Sequence, residues 1–298
     1  MKQDYHQLLK PDIINSVSGL SLIARIIVEG YLSGHNRSRR VGAGLEFSQY
    51  RGYEQGDDMR LLDWKMLARS GRYYIKQSEI DTHISVKYIL DTSKSMAHEE
   101  NGLSKIDHVR VLVASLAYLS QKQGDAVGLF TVNDENIFGL NPTVRKQHFN
   151  RILHELVRLQ VKGKWPDNSM TIDKLHDRSR KELILFFTDL YEHNTELMTM
   201  IKGLKTIRNE VVVMHIMGQK ELEFNHSGPA IFEDLETGLR IRVDAKEAKA
   251  KYLSALGLMI SDTKELLWSN GIGYHLFNLG EPIGDTLQVF LKQRSRLL

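Results

Sequence analysis

The sequence predicts an α/β fold built around a mostly parallel sheet with helices on both faces. Short apolar runs alternate along residues 83–298 with longer segments whose apolar residues recur at spacings of three and four, as in amphipathic helices. Strands joined through helices form right-handed crossovers and hence parallel sheets. Two of the runs end in an acid, Asp91 and Asp189, and such sheets bind ligands beyond their strand ends. The expected class is therefore α/β with a doubly wound sheet.

The same periodicity places the individual elements. The expected strands are 83–90, 126–132, 183–188, 210–217 and 273–278, with 136–140 as a hairpin partner of the second. The expected helices are 105–121, 145–159, 174–180, 195–207, 245–268 and 285–293. Residues 229–243 have the pattern of a β-hairpin, and its acidic turn at 233–238 is expected to be solvated.

The pattern changes near residue 82, which is the expected domain boundary. Before it lie a helical stretch at 13–29, a Gly/Arg/Ser segment at 30–44 and a long irregular polar stretch. We therefore expect residues 1–82 to form a small N-terminal extension of helical and irregular structure. Residues 83–298 are expected to form the α/β domain, with a β-hairpin insertion near 229–243.

Composition excludes several classes of function. The 298 residues include no cysteine, so disulfides, thiolate metal sites and cysteine nucleophiles are ruled out. A formal net charge of +3 is too small to indicate a nucleic-acid partner by itself. The N-terminus lacks the apolar core of a signal peptide, and no apolar stretch approaches the roughly 20 residues of a membrane span. We expect a protein without a membrane segment, in the cytoplasm.

The segment after the first strand of the domain carries the candidate site. Residues i, i+2 and i+4 of an extended chain point to one side, so Asp91, Ser93 and Ser95 present three oxygens to one point. Oxygen ligands suit a hard cation such as Mg²⁺, with Mn²⁺ or Ca²⁺ as alternatives, and Asp189 adds a second carboxylate. The same residues also fit two other roles, namely a cap for the next helix or, at Asp91, acceptance of a phosphoryl group.

The phosphotransfer alternative lacks supporting motifs. A phosphatase of the haloacid dehalogenase type pairs its nucleophilic Asp with a second acid two residues later, where this chain has Ser93. No Gly-x-x-x-x-Gly-Lys-Ser/Thr loop occurs, and no Ser-His-Asp order stands out among the 12 histidines. We therefore expect a non-enzymatic protein, with an enzyme using Asp91 as the alternative.

The segments ILDTSKSM, KIDHVRVLVASLAYLSQKQGDAVGLFTV and LILFFTDL together resemble a von Willebrand factor type A domain. In that fold the first strand ends in Asp-x-Ser-x-Ser, the metal-ion-dependent adhesion site, and a later strand ends in an Asp that corresponds to Asp189. The resemblance implies a further threonine ligand from a middle loop. Thr171 is the candidate there and Ser169 the substitute, although the usual Gly-Thr signature is missing.

Residues 44–79 are similar to the hallmark of the bacterial family named domain of unknown function 58. The charged and aromatic positions that match are Arg51, Tyr53, Asp57, Asp58, Arg60, Asp63, Trp64 and Lys65. Together with Glu54, we treat them as a candidate interaction surface. The resemblance implies an adaptor that works with a MoxR-type AAA+ ATPase in complex assembly or chaperone-like maturation. From the residues alone, the hallmark fits either a structural element held by ion pairs and Trp64 packing or a recognition surface.

A basic run at Arg37, Arg39 and Arg40 gives a third functional alternative, an anion or nucleic-acid binder. A flexible basic loop explains it equally well, and no array of base-stacking aromatics accompanies it. Nucleic acid is therefore not the expected partner. The favoured function is a metal-dependent protein-interaction module.

Overall fold

The computed structural model describes residues 5–38, 50–53, 64–76, 84–166, 175, 181–191, 195–226 and 228–294. The chain divides into two compact units. The larger contains residues 1–32 and 83–298, and the smaller contains residues 33–82.

The helices and strands follow one another in an alternating order. The helices are α1 Pro11–Ile14, α2 Val17–Ser38, α3 Trp64–Ser70, α4 Lys105–Lys122, α5 Lys146–Arg158, α6 Glu196–Leu204, α7 Gln219–Glu223, α8 Ala245–Ser269 and α9 Ile283–Arg294. The strands are β1 Tyr50–Gly52, β2 Tyr74–Lys76, β3 Ser85–Asp91, β4 Glu99–Glu100, β5 Leu103–Ser104, β6 Ala126–Val132, β7 Ile137–Thr143, β8 Glu182–Thr188, β9 Asn209–Met217, β10 Pro229–Glu233, β11 Arg240–Asp244 and β12 Gly273–Asn278.

The central sheet has the strand order β12-β9-β8-β3-β6-β7. All neighbours in it are parallel except the β6–β7 hairpin at one edge. Renumbered along the chain, this is the 3-2-1-4-5-6 order of a doubly wound sheet, whose direction of winding reverses between β3 and β8. The predicted fold class, a mostly parallel doubly wound sheet of von Willebrand factor A (Rossmann-like) type, is confirmed.

Alternate residues of the strands enter two separate apolar cores. On one face, Tyr88 and Leu90 of β3 pack with α2, α4, α5 and α9. On the other, Ile89 packs with Phe186 of β8 and with helix α6. Side chains of one strand point alternately to the two faces, so covering both faces with helices buries every apolar position. The central strands therefore read as continuous apolar runs.

The first 32 residues belong to the α/β unit, which corrects the predicted boundary at residue 82. Leu20, Ile23 and Ala24 of α2 are completely buried, in the same core as α4. The helix also continues to Ser38, into the segment 30–44 that the sequence pattern placed outside it. The apolar stripe of α2 thus supplies part of the core of the domain.

The smaller unit contains more regular structure than predicted. Strands β1 and β2 pair antiparallel, with Tyr50 opposite Lys76 and Gly52 opposite Tyr74, and α3 lies between them in the chain. The prediction of an irregular stretch was therefore wrong for these segments. Trp64, at the start of α3, is 61% exposed, which does not support the alternative in which its ring packs to hold the hallmark in place.

The remaining elements agree with the sequence pattern to within a few residues, including the β10–β11 hairpin. The predicted helix at 174–180 lies outside the described residues except for Leu175. No helix in the described part of the chain has the length and apolar character needed to cross a membrane.

Candidate metal centre

The two predicted acids meet where the winding of the sheet reverses. Asp91 is the last residue of β3, and Asp189 directly follows β8, the neighbouring parallel strand. Both carboxylates are buried at the carboxyl edge of the sheet. In doubly wound folds this crevice is the general ligand position. The topology therefore brings together two residues that are 98 positions apart in sequence.

The loop after β3 folds its two serines back toward these acids. The Ser93 backbone N–H donates to Asp91 Oδ1 at 2.9 Å. The Ser95 hydroxyl donates to Asp189 Oδ1 at 3.1 Å, and the hydroxyls of Ser93 and Ser95 lie 3.0 Å apart. Asp91, Ser93, Ser95 and Asp189 thus form one connected cluster of oxygens.

The helix-cap alternative is contradicted for these serines. Ser93 precedes a 3₁₀ turn at Lys94–Ala97, but its side chain makes no capping hydrogen bond. The next α-helix, α4, is capped by Ser104, which forms a reciprocal capping box with Asp107. Capping is therefore performed elsewhere, and the hydroxyls of Ser93 and Ser95 remain in the cluster.

Thr188 connects the two strand ends and was not predicted as a site residue. Its hydroxyl donates to Asp91 Oδ2 at 2.8 Å and accepts the backbone N–H of Leu190 at 2.9 Å. Leu190 has a φ of 56°, in the left-handed region that a leucine rarely adopts. The loop that carries Asp189 is therefore held in an uncommon backbone conformation beside the cluster.

A buried lysine balances one of the acids and was also missed. Lys105 Nζ, at the start of α4, donates to Asp189 Oδ2 at 3.0 Å and to Glu221 Oε1 at 2.9 Å. Burial disfavours the charged amine, yet the charges of Asp189 and Glu221 outweigh it and raise the pKa of Lys105. Burial likewise opposes ionisation of Asp189, but the adjacent Lys105 lowers its pKa.

Among the described residues, no cation balances Asp91 in the way that Lys105 balances Asp189. Burial and the negative charge of Asp189 raise the pKa of Asp91 to about 7, against the opposing hydrogen bonds from Ser93 and Thr188. The charged form of Asp91 thus lacks compensating positive charge. A buried carboxylate in this state binds either a proton or a cation.

His215 fixes the backbone under Asp189. This completely buried side chain lies with Nε2 3.1 Å from the Asp189 carbonyl oxygen and Nδ1 2.7 Å from the Tyr274 hydroxyl. Burial lowers the pKa of His215 to about 4, so the neutral ring is favoured. Its role in the fold is that of a hydrogen-bonded core histidine.

The acidic turn of the β10–β11 hairpin reaches the same cluster. The turn was expected to be solvated, but Glu236 Oε1 is buried and makes no hydrogen bond. Burial and the charges of Asp189 and Asp234 raise the pKa of Glu236 to about 7, while the nearby hydroxyls of Ser93 and Ser95 oppose this rise. The prediction of a solvated turn was therefore wrong for Glu236.

These residues fit a hard divalent cation. All the side-chain donors of the cluster are carboxylate or hydroxyl oxygens, which are the ligands that Mg²⁺ and Ca²⁺ prefer. Glu236 supplies a buried carboxylate oxygen that lacks a partner. Within the described ranges, no three side chains of His, Asp or Glu converge closely enough to form a metal site by themselves. A cation here therefore requires the hydroxyls of Ser93 and Ser95.

Several predicted residues cannot be placed in this cluster. Thr171, its substitute Ser169 and the basic Arg39 and Arg40 lie outside the described residues, and only the backbone of Arg37 is described. Of the hallmark positions, Tyr53, Trp64 and Lys65 are described together with the backbone of Arg51. The hallmark positions outside the described residues are Glu54, Asp57, Asp58, Arg60 and Asp63.

The strand order and the acid–hydroxyl cluster define a doubly wound α/β protein of von Willebrand factor A-like type. A family model described as "Protein of unknown function DUF58" matches residues 49–256, more than half of the chain. The chain therefore belongs to the DUF58 family.

The sequence is similar to that of a mycobacterial protein, and the fold resembles several solved structures. Uncharacterized protein Rv1480 of Mycobacterium tuberculosis is 21% identical over 234 residues, which cover 77% of this chain and 73% of that protein. Among solved structures, BatB from Bacteroides thetaiotaomicron has 13% identity and a TM-score of 0.44, covering 72% of this chain and 99% of BatB. The SpRpn10 VWA domain has 13% identity and a TM-score of 0.41, and the match covers 69% of this chain and 94% of that domain. At these TM-scores neither likeness bears on function.

Proposed function

We propose that this protein is a non-enzymatic interaction module that binds an acidic residue of a partner protein through a divalent cation. The cation is Mg²⁺, with Mn²⁺ or Ca²⁺ as alternatives, held by Asp91, Ser93, Ser95 and Asp189. The supporting observation is the convergence of these oxygens at the switch point of the sheet. Bound there, a hard cation supplies an electrophilic position for an incoming carboxylate.

The protein groups orient the cluster rather than perform chemistry. Thr188 and the Ser93 N–H hold the Asp91 carboxylate, and Lys105 holds that of Asp189. Both oxygens of Asp91 already accept hydrogen bonds, and its charged form is disfavoured by burial. The second acid that phosphatases of the haloacid dehalogenase type place two residues after the nucleophile is Ser93 in this chain, which supports binding over phosphotransfer.

The partner that the family resemblance implies is a MoxR-type AAA+ ATPase or a client of that ATPase. The test is capture of the recombinant MoxR-type ATPase from the same genome by the immobilised full chain. Capture is expected in Mg²⁺ and is expected to fall at least about tenfold in EDTA or with Asp91→Asn. Asp262→Asn, at an exposed position of α8, is the matched control and should not reduce capture.

Two outcomes contradict the proposal separately. Equal capture in Mg²⁺ and EDTA, with Asp91→Asn still folded by circular dichroism, overturns the metal dependence. Failure to capture the ATPase in any condition overturns the choice of partner.

A further inference from the structure

The position of Glu236 raises a question that the proposed docking site leaves open. A partner carboxylate must reach the hydroxyls of Ser93 and Ser95, yet these side chains are 0% and 8% exposed. The crevice beyond the strand ends is therefore covered in this structure. Glu236, from the turn between β10 and β11, is one of the groups that face it.

One carboxylate oxygen of Glu236, Oε1, is buried without a hydrogen-bond donor among the described residues. Each serine hydroxyl has a single hydrogen. That of Ser95 is donated to Asp189, so the contact between the hydroxyls requires Ser93 to donate to Ser95. In this arrangement neither hydroxyl donates to Oε1 of Glu236, the carboxylate oxygen that is buried without a hydrogen bond to the described residues. A carboxylate in this position needs a cation or a proton between it and the serine oxygens.

The turn is preformed for this approach. Asp234 accepts the backbone N–H of Glu236 at 2.8 Å and that of Thr237 at 3.3 Å. The Tyr191 hydroxyl, two residues after Asp189, also donates to Asp234. The turn is thus attached to the loop that carries Asp189, and Glu236 is directed at the cluster by the backbone of the hairpin.

We propose that Glu236 is an internal ligand of the cation site, presented by the β10–β11 hairpin where the acidic residue of a partner binds. This inference rests on the cation site of the proposed function and adds its regulation. The hairpin closes the site by supplying a carboxylate from the same chain, and a partner gains access by displacing Glu236. A partner must therefore offer a carboxylate that competes with an intramolecular one.

The first test is calorimetric titration of the full chain with MgCl₂. Glu236→Gln keeps the shape of the side chain but removes its charge, and we expect Mg²⁺ affinity to fall at least about tenfold. The matched control is Glu233→Gln on the same hairpin, because the Glu233 carboxylate pairs with Arg240 at 2.8 Å and is exposed. Its Mg²⁺ affinity should stay within about twofold of the wild type.

The second test measures the hairpin directly. The chain has no cysteine, so Leu239→Cys, at a position that is 70% exposed, accepts a single spin label. In the labelled Leu239→Cys protein, Mg²⁺ is expected to immobilise the spin label. In the double variant that also carries Glu236→Gln, Mg²⁺ should leave the mobility of the label unchanged. This readout separates ligation by Glu236 from a general effect of Mg²⁺ on the fold.

The two tests distinguish failure of the cation site from failure of Glu236 as its internal ligand. Wild-type protein that binds no Mg²⁺ overturns both the cation site and the internal ligand. Mg²⁺ binding that is equal in wild type and Glu236→Gln, with label mobility insensitive to Mg²⁺, overturns the internal ligand alone.

Discussion

Lys105 determines the charge balance of the cluster. It is the cation that the structure places against Asp189 and Glu221. Lys105 and Asp189 are buried, and Glu221 is partly exposed. Removing one member of a buried ion pair leaves the other without compensation, at a cost of about 3–5 kcal/mol. The same positive charge opposes a divalent cation nearby, so Lys105 stabilises the metal-free state of the proposed site.

Lys105→Met should therefore lower the free energy of unfolding by about 3 kcal/mol without Mg²⁺. Saturating Mg²⁺ should recover more stability in this variant than in the wild type, because the cation replaces the lost charge. The measurement is urea denaturation with and without Mg²⁺. The matched control is Lys87→Met, which breaks a buried pair with Glu182 at 2.7 Å on the same strands, away from the cluster. Equal Mg²⁺ recovery in both variants would contradict the role given to Lys105.

His215 makes the stability of the folded protein depend on pH. Its pKa is lowered from 6.5 to about 4 by burial, so the unfolded chain takes up a proton before the folded one does. The stability from the neutral ring is complete above about pH 6.5 and is lost as the pH falls toward about 4, by up to about 3 kcal/mol.

We expect His215→Gln to flatten the fall in unfolding free energy between about pH 6.5 and 4.5, although it lowers stability at neutral pH. Denaturation series at several pH values measure the slope. His154→Gln, at an exposed position of α5, should leave the slope unchanged. An identical slope for wild type and His215→Gln would show that this histidine is not held neutral.

At the scale of elements, the start of α4 separates structural from binding serines. Ser104 Oγ accepts the Asp107 backbone N–H at 3.2 Å, and the Ser104 N–H donates to Asp107 Oδ2 at 3.1 Å. This reciprocal arrangement satisfies backbone donors of the first turn. Its loss is a stability effect and does not involve the cluster oxygens.

Ser104→Ala should destabilise the protein by about 1 kcal/mol without changing Mg²⁺ affinity. Ser104→Asn, which retains a capping oxygen, should recover most of that loss. Ser95→Ala should show the opposite pattern, with weaker Mg²⁺ binding. Urea denaturation and calorimetric titration of the three variants provide the comparison. A loss of Mg²⁺ affinity in Ser104→Ala would contradict the assignment of Ser104 to helix capping and of Ser95 to cation binding.

For the whole molecule, the first 32 residues are part of the α/β unit. Ile23→Ala on α2 should cost about 2–5 kcal/mol, because it leaves a cavity in the core shared with α4. Leu22→Ala is the control one residue away, since Leu22 is 46% exposed, and it should cost less than about 0.5 kcal/mol. The measurement is thermal or urea unfolding. A negligible effect of Ile23→Ala would restore the view of residues 1–82 as a separate extension.

The sequence predicted the features that local periodicity determines, namely the strands and their parallel pairing. The strands that lead to Asp91 and Asp189 are rich in apolar residues and alternate with helical segments along the chain, so their parallel pairing followed from the pattern. The contributions of Lys105 and Glu236 were missed, because each depends on long-range packing that no local spacing encodes. The first helix was predicted at 13–29, but its burial in the core that also contains α4 depends on long-range packing, so its exclusion from the α/β domain was wrong.

The proposed divalent cation is held by Asp91, Ser93, Ser95 and Asp189 at the switch point of the sheet, with Glu236 as its internal ligand. The most direct test of this site is a crystal of the full chain grown with Mn²⁺, with diffraction data collected at the manganese absorption edge. We expect an anomalous manganese peak among the oxygens of these residues, at roughly 2.1–2.3 Å from the nearest oxygen atoms. Anomalous peaks that lie only in other parts of the molecule would contradict the proposed cation site. The Asp91 and Ser93 oxygens would then make hydrogen bonds within the protein and contact no metal.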